Sequence, residues 1–209
     1  MVNILIADDH PIVRRGLRDI VLDLTGYSIL EASSGAEVLQ IVAQQKVDAV
    51  LLDISMPGRN GLETLQDLKR EYPKLPVIML TIYPEDQYAI RAMKAGADGY
   101  LTKDSAPDEL VGALGKVLSG GKYISSSLAE RLAGELHRKT EKLPHEELSD
   151  REFEVFRLLG SGLTITEIGE RLSLSVKTVS TYRTRILEKM SMQTNSEIVR
   201  YVFHQKLLD

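Results

Sequence analysis

The sequence predicts two domains, a doubly wound α/β domain on a five-stranded parallel sheet followed by a small four-helix helix-turn-helix domain. Residues 1–120 alternate short apolar runs with longer amphipathic segments, strand then helix, five times, the order that gives a layered sheet with right-handed crossovers. Several of those runs are continuous Val, Ile and Leu, as parallel strands buried on both faces require. From Leu148 onward the apolar period is helical throughout.

The predicted strands are Val2 to Ala7, Tyr27 to Ala32, Ala49 to Asp53, Val77 to Thr81 and Gly99 to Thr102. Helices are expected between and after them, over about 11–24, 35–45, 61–72, 84–95 and 106–118, and Gly120-Gly121 closes the last. Residues 121–146 read as a polar, charged linker. Leu128, Leu132 and Leu136, spaced four apart, allow a short amphipathic helix over about 125–141, either within that linker or docking one domain on the other. The second domain spans 147–209. Capping boxes at Ser149 with Glu152, Thr164 with Glu167 and Thr194 with Glu197 mark three helix starts. Ser175 is a fourth N-cap, opening a helix that runs to about Met190. Gly160, Ser161 and Gly162 separate the first two helices, and the whole forms a compact helix-turn-helix unit.

Composition narrows the class. The 209 residues are 43% hydrophobic and 27% charged, with three Phe and no Trp, an ordinary globular balance. The absence of cysteine excludes disulfides and thiolate metal sites. No apolar run approaches the roughly 18 residues of a membrane span. The first residues lack the basic-then-apolar layout of a signal peptide, so a cytoplasmic protein is expected. The net charge of −4 hides an asymmetry: nine Lys and Arg oppose eight acids over 148–209, which leaves −5 on the rest. Lys177, Arg183, Arg185 and Lys189 cluster there with only Glu188 against them, so the second domain, and not the whole chain, sets the expectation for nucleic acid.

Chemistry is concentrated at the strand ends. Asp8 and Asp9 close the first strand and Asp53 the third, and adjacent first and third strands bring the three carboxylates to one sheet edge, where such folds place their sites. Clustered carboxylates repel unless a hard cation sits among them, and Mg²⁺ suits oxygen ligands and phosphoryl groups. Thr81 ends the fourth strand and Lys103 follows the fifth, adding a hydroxyl and an ammonium for phosphoryl oxygens. A lone Asp at a strand end is usually a turn residue, but five polar residues at four strand ends form a pattern.

Those residues, with the run Asp53-Ile54-Ser55-Met56-Pro57-Gly58-Arg59-Asn60-Gly61, resemble the receiver domain of two-component response regulators over about residues 1–120. The resemblance implies that Asp53 accepts a phosphoryl group from a histidine kinase. It implies further that Asp8, Asp9, Asp53 and the backbone carbonyl of Ser55 hold Mg²⁺, that Lys103 pairs with the phosphoryl group, and that Thr81 swings in to bond it. Tyr100 matches the family's switch aromatic, which rotates inward once Thr81 moves; its plainer role is a packed strand aromatic. Ile82 stands where many receivers have a small residue, and its bulk is expected to narrow access. Asp104 stands where many have Pro.

In the stretch 175–190, Val176, Val179, Ile186, Leu187 and Met190 form an apolar stripe expected to be core. The opposite side offers Lys177, Ser180, Thr181, Thr184, Arg185 and Glu188. Small hydroxyls flanked by cations suit a major groove, although a solvated amphipathic face has the same composition. Leu148-Ser149-Asp150-Arg151-Glu152, Gly162, Thr166-Glu167-Ile168-Gly169 and Lys177-Thr178-Val179 resemble the LuxR/GerE-type output domain of NarL/FixJ response regulators, over about 147–209. The resemblance implies that the third of four helices reads DNA and the fourth forms a dimer contact. Ser180, Thr181 and Thr184 would then face bases, with Lys177, Tyr182, Arg183, Arg185 and Lys189 toward phosphates. Thr164-Ile165-Thr166 replaces a usual Ser-Asn-Lys, which removes one cation.

The expectation is a homodimerising transcription factor, a switch and not an enzyme, in which phosphorylation acts through dimerisation or domain docking. A Mg²⁺-dependent phosphohydrolase with an aspartyl-phosphate intermediate would also cluster aspartates, but it needs a general acid where Ser55 stands. A receiver whose helical module binds protein or RNA is the other alternative, separated by salt-dependent binding to duplex DNA.

Overall fold

The computed structural model describes residues 1–137 and 143–208. The chain divides into two compact units, Met1–His137 and Arg138–Asp209. Among the described residues, no helix is long and apolar enough to cross a membrane.

The first unit alternates β1 (Val2–Ala7), α1 (Pro11–Leu22), β2 (Tyr27–Ala32), α2 (Gly35–Gln44), β3 (Ala49–Leu52), α3 (Gly61–Glu71), β4 (Val77–Thr81), α4 (Glu85–Lys94), β5 (Gly99–Thr102) and α5 (Ala106–Leu118). The sheet order is β2-β1-β3-β4-β5, all pairs parallel. The order reverses at β1, so the carboxyl ends of β1 and β3 lie side by side at the switch point. Ile4, Leu5 and Ile6 of β1, all of β3 and Val77 to Leu80 of β4 are buried, which is why those strands read as unbroken apolar runs.

The short helix expected over about 125–141 is present over most of that range. Residues 126–137 form helix α6 (Ser126–His137), which belongs to the first unit. Leu128 is fully buried, and the preceding chain pairs with β5 through a bridge from Tyr123 to Gly99. Residues 138–142, at the end of the helix expected over 125–141, lie outside the described residues, as does the side chain of Leu136.

The second unit opens with a 3₁₀ turn at Pro144–Glu147, then α7 (Asp150–Gly160), α8 (Ile165–Leu172), α9 (Val176–Lys189) and α10 (Asn195–His204). All three expected capping boxes form, at Ser149, Thr164 and Thr194, and Ser175 caps α9 by accepting from Thr178 N–H. Phe153, Phe156, Ile168, Val179, Ile186, Ile198 and Val202 make the core. The turn between α8 and α9 is tight: Ser173 is left-handed with φ 52°, and Leu174 N–H returns to Gly169 O at 2.8 Å. A Cβ on Gly169 would lie 2.8 Å from Leu174 O, so glycine is what lets the two helices meet this closely. Val176 departs from the expected core stripe, since it sits at the first turn of α9 and is 44% exposed.

Candidate functional site

Backbone geometry brings the acidic residues together. Asp53 N–H donates to Ala7 O at 2.9 Å, which fixes the end of β3 against the end of β1, and Lys103 N–H donates to Thr81 O at 2.8 Å across β4 and β5. The Gly61 of the Asp53–Gly61 run has a steric reason: a Cβ there would collide with the backbone carbonyl of Asp53. Asn60 caps α3 just before it, through a box with Glu63 that the sequence reading did not single out.

Asp8 and Asp53 are each only 1% exposed. Lys103 Nζ lies 2.6 Å from Asp8 Oδ2 and 2.8 Å from Asp53 Oδ2, one ammonium between two buried carboxylates. Burial pushes the Asp53 carboxyl up to about 6, with the Asp8 charge adding to it and Lys103 opposing. Burial alone would lower Lys103, but the two carboxylates outweigh it and hold the ammonium above its usual range. Asp9, at the rim, joins the group, and His10 approaches it with Nδ1 2.6 Å from Asp9 Oδ1. One ligand atom from each of Asp8, Asp9, His10 and Asp53 falls within 4.8 Å of all the others. The other Asp53 oxygen, Oδ1, is buried without a hydrogen-bond partner. Hard oxygen donors, surplus negative charge and an orphaned carboxylate oxygen suit a divalent cation such as Mg²⁺. His10, which the sequence reading passed over, also bonds Asp8: its N–H donates to Asp8 Oδ1 at 2.8 Å.

Thr81 is fully buried at the end of β4, and its hydroxyl oxygen accepts from Tyr83 N–H at 3.3 Å. Tyr100, expected to turn inward on activation, is already inside, 1% exposed, because its hydroxyl donates to Tyr83 O at 2.9 Å. Tyr83 is a missed participant. It accepts a hydrogen bond from Ser55 Oγ at 3.1 Å and packs on Tyr88 at 4.8 Å between ring centroids. Ile82 points away to solvent, 59% exposed.

On α9, Lys177, Ser180, Thr181, Thr184, Arg185 and Glu188 are exposed, and Tyr182 and Arg183 are half-buried. The hydroxyls of Thr181 and Thr184 donate to the carbonyls of Lys177 and Ser180, which fixes their rotamers along one face. Two of the expected phosphate contacts are engaged within the unit: Lys189 Nζ lies 2.6 Å from Glu152 Oε2, and Arg183 Nε donates to Asn195 Oδ1 at 2.6 Å. Neither pairing is visible along the chain, because Glu152 and Asn195 belong to other helices.

A buried acidic pocket at a switch point and a capped helix with a basic, hydroxyl-rich face are thus both present. Residues 4–115 match the response regulator receiver domain, and residues 146–202 match the bacterial regulatory proteins of the luxR family. The chain belongs to the NarL/FixJ response regulators. Among curated relatives, it is 37% identical to the response regulator UvrY of Escherichia coli K12, covering 99% of this chain and 96% of that protein. It is 35% identical to the response regulator GacA of Pseudomonas aeruginosa, covering 100% and 99%. Among solved structures it resembles RcsB from Salmonella enterica serovar Typhimurium bound to the promoter rprA in the presence of phosphomimetic BeF3⁻, with TM-score 0.65, 26% identity and coverage of 97% and 99%. This response regulator therefore joins a receiver to a luxR-type DNA-binding domain and acts in transcription regulation.

Proposed function

We propose that Asp53 accepts a phosphoryl group from a histidine kinase, and that its phosphorylation controls how α9 engages duplex DNA. The observation that carries this is the state of Asp53 itself: one carboxylate oxygen is held by Lys103 and the other is buried without a hydrogen-bond partner. Asp8, Asp9, Asp53 and the backbone carbonyl of Ser55 would hold Mg²⁺, which when bound neutralises the phosphoryl oxygens. An Asp53 carboxylate oxygen bonds phosphorus as the phosphorus–nitrogen bond of a phosphohistidine breaks, and the imidazole leaves with the bonding pair and takes a proton. Lys103 stays beside the new phosphate and offsets its charge. Thr81 supplies a hydroxyl to one of its oxygens, giving up Tyr83 N–H to do so, which frees the loop that follows β4. The group acts as a switch and not as a turnover site.

Ser180, Thr181 and Thr184 are read as facing base edges, with Lys177 and Arg185 on phosphates and Tyr182 beside them. Arg183 and Lys189 support the helix through Asn195 and Glu152. A homodimer fits α10, whose Val199 and Phe203 share a face, with Phe203 81% exposed. The protein is read as cytoplasmic.

Incubation with acetyl phosphate and Mg²⁺ tests the acceptor. Intact mass should show one phosphoryl group on the wild type and none on Asp53→Asn. An adduct that persists in Asp53→Asn would overturn the assignment.

A further inference from the structure

The start of α4 and the N-terminus of α6 meet at one carboxylate. Glu85, the first residue of α4, accepts hydrogen bonds from Ser125 Oγ at 2.6 Å and Ser127 Oγ at 3.0 Å. Ser125 is also the N-cap of α6, accepting from Leu128 N–H at 3.0 Å, while its carbonyl accepts from Ala129 N–H at 3.0 Å. The Glu85 carboxylate therefore sits at the positive end of α6, where the helix dipole favours it. Leu128, one turn in, is fully buried.

The two halves of this clasp are fastened to the sheet in different ways. On the α6 side, Tyr123 is held to β5 by backbone bonds, its N–H to Asp98 O at 2.7 Å and its carbonyl from Tyr100 N–H at 3.3 Å. On the α4 side, the loop 82–84 is held by side chains of the pocket: Tyr83 N–H rests on Thr81 Oγ1, the Tyr100 hydroxyl donates to Tyr83 O, and the Ser55 hydroxyl donates to the Tyr83 phenol oxygen. A backbone ladder is rigid, whereas a bond accepted by a threonine hydroxyl is lost when that side chain rotates to donate to a charged acceptor elsewhere. Glu85 follows Tyr83 by two residues, so it moves with the loop while Ser125 stays with β5.

We propose that the Glu85 clasp on Ser125 and Ser127 is the device by which the pocket's state reaches α6, the last element of the first unit. With Thr81 bonded to its own loop the clasp is closed and α6 is held to α4. When Thr81 turns to a phosphoryl group, the Tyr83–Glu85 segment shifts, the two serine bonds break, and α6 loosens. The inference rests on the reading of Asp53 and Thr81 given above. Glu85 is a positioning residue, remote from the phosphoryl group.

Hydrogen exchange on the full chain, followed by mass spectrometry, tests it with beryllofluoride and Mg²⁺ as the phosphate mimic. Peptides within 124–137 should exchange at least about threefold faster when the mimic is added to the wild type. Glu85→Ala should show that faster exchange without the mimic and respond little further. Glu85→Gln, whose carboxamide oxygen still accepts from both serines, should behave as wild type, and Ser127→Ala should fall between. Unchanged exchange of 124–137 in both Glu85→Ala and Ser127→Ala overturns the clasp. So does a mimic that alters peptides around Asp53 and Thr81 while 124–137 stays as it was. If no peptide responds to the mimic, the Asp53 reading falls and takes the coupling with it.

Discussion

In the acidic pocket, one ammonium is packed between two buried carboxylates and burial pushes Asp53 up to about 6; on α9, the residues proposed to meet DNA are mostly open to solvent and the helix is held from behind. The pocket works against the stability of its own unit, because each buried carboxylate costs desolvation that a cation, the Lys103 ammonium or a divalent ion, has to offset. The exposed face of α9 costs its unit almost nothing, since Val179, Ile186 and the Ser175 cap hold α9 without it. Substitutions in the pocket should therefore change chemistry and stability together, whereas substitutions on α9 should change binding alone.

The largest expected effect comes from breaking the pocket's charge balance. Lys103→Ala leaves Asp8 and Asp53 without their shared counter-ion and should slow acceptance of a phosphoryl group by about 100-fold. A mass-resolved time course with acetyl phosphate measures it, and a rate within about threefold of wild type would mean that Lys103 is structural.

Acid should act on the two units in opposite directions. Asp53 has its folded pKa raised above the ordinary 3.8, to about 6, so its contribution to stability is fully present below 3.8 and is lost as pH rises through 6. The metal-free first unit should gain about 1 kcal/mol from Asp53 between pH 7 and 5, a gain that Asp53→Asn removes. Burial raises Glu152 of the second unit, but the Lys189 ion pair and the Ser149 cap outweigh it and hold its carboxyl below the usual range. Its contribution is present above the ordinary value of 4.5 and is lost as pH falls through the lowered one. Thermal melts of fragments 1–137 and 143–209 should show the first gaining stability between pH 7 and 5 while the second stays level there and loses stability only below about 4.5; a second fragment that gains in step with the first would contradict the contrast.

The smallest effects separate residues within α9. Lys177→Ala and Arg185→Ala should each flatten the salt dependence of DNA binding by about one unit, with little change in unfolding temperature. Lys189→Ala should instead cost the unit under about 1 kcal/mol, given that Lys189 is 40% exposed, and leave the salt slope nearly unchanged. A salt slope that moves most in Lys189→Ala would restore it to the DNA surface.

What could be read from the sequence depended on whether the cause was local. The strands announced themselves because burial on both faces demands unbroken apolar runs, and the capping boxes of α7, α8 and α10 because their partners lie three residues apart. Asp8, Asp9, Asp53, Thr81 and Lys103 were legible because a parallel sheet sends every strand end to one edge. The clasp of Glu85 on Ser125, the place of Tyr83 beside Ser55, and the pairing of Lys189 with Glu152 join residues about 30 to 40 positions apart. No short-range pattern encodes such pairings. The helix over 126–137 was legible from the spacing of its leucines, but not the surface that receives Leu128, for the same reason.

The central claim is that the state of Asp53 sets the affinity of α9 for DNA. The direct measurement is a DNA titration of the full chain, with and without acetyl phosphate and Mg²⁺, beside Asp53→Asn and fragment 143–209. Phosphorylation should tighten binding by the wild type by about 5–150-fold, the ordinary range of coupling between two sites. Asp53→Asn should not respond, and the fragment should bind DNA identically with and without the phosphodonor. A wild type whose affinity is the same before and after stoichiometric phosphorylation would contradict the account.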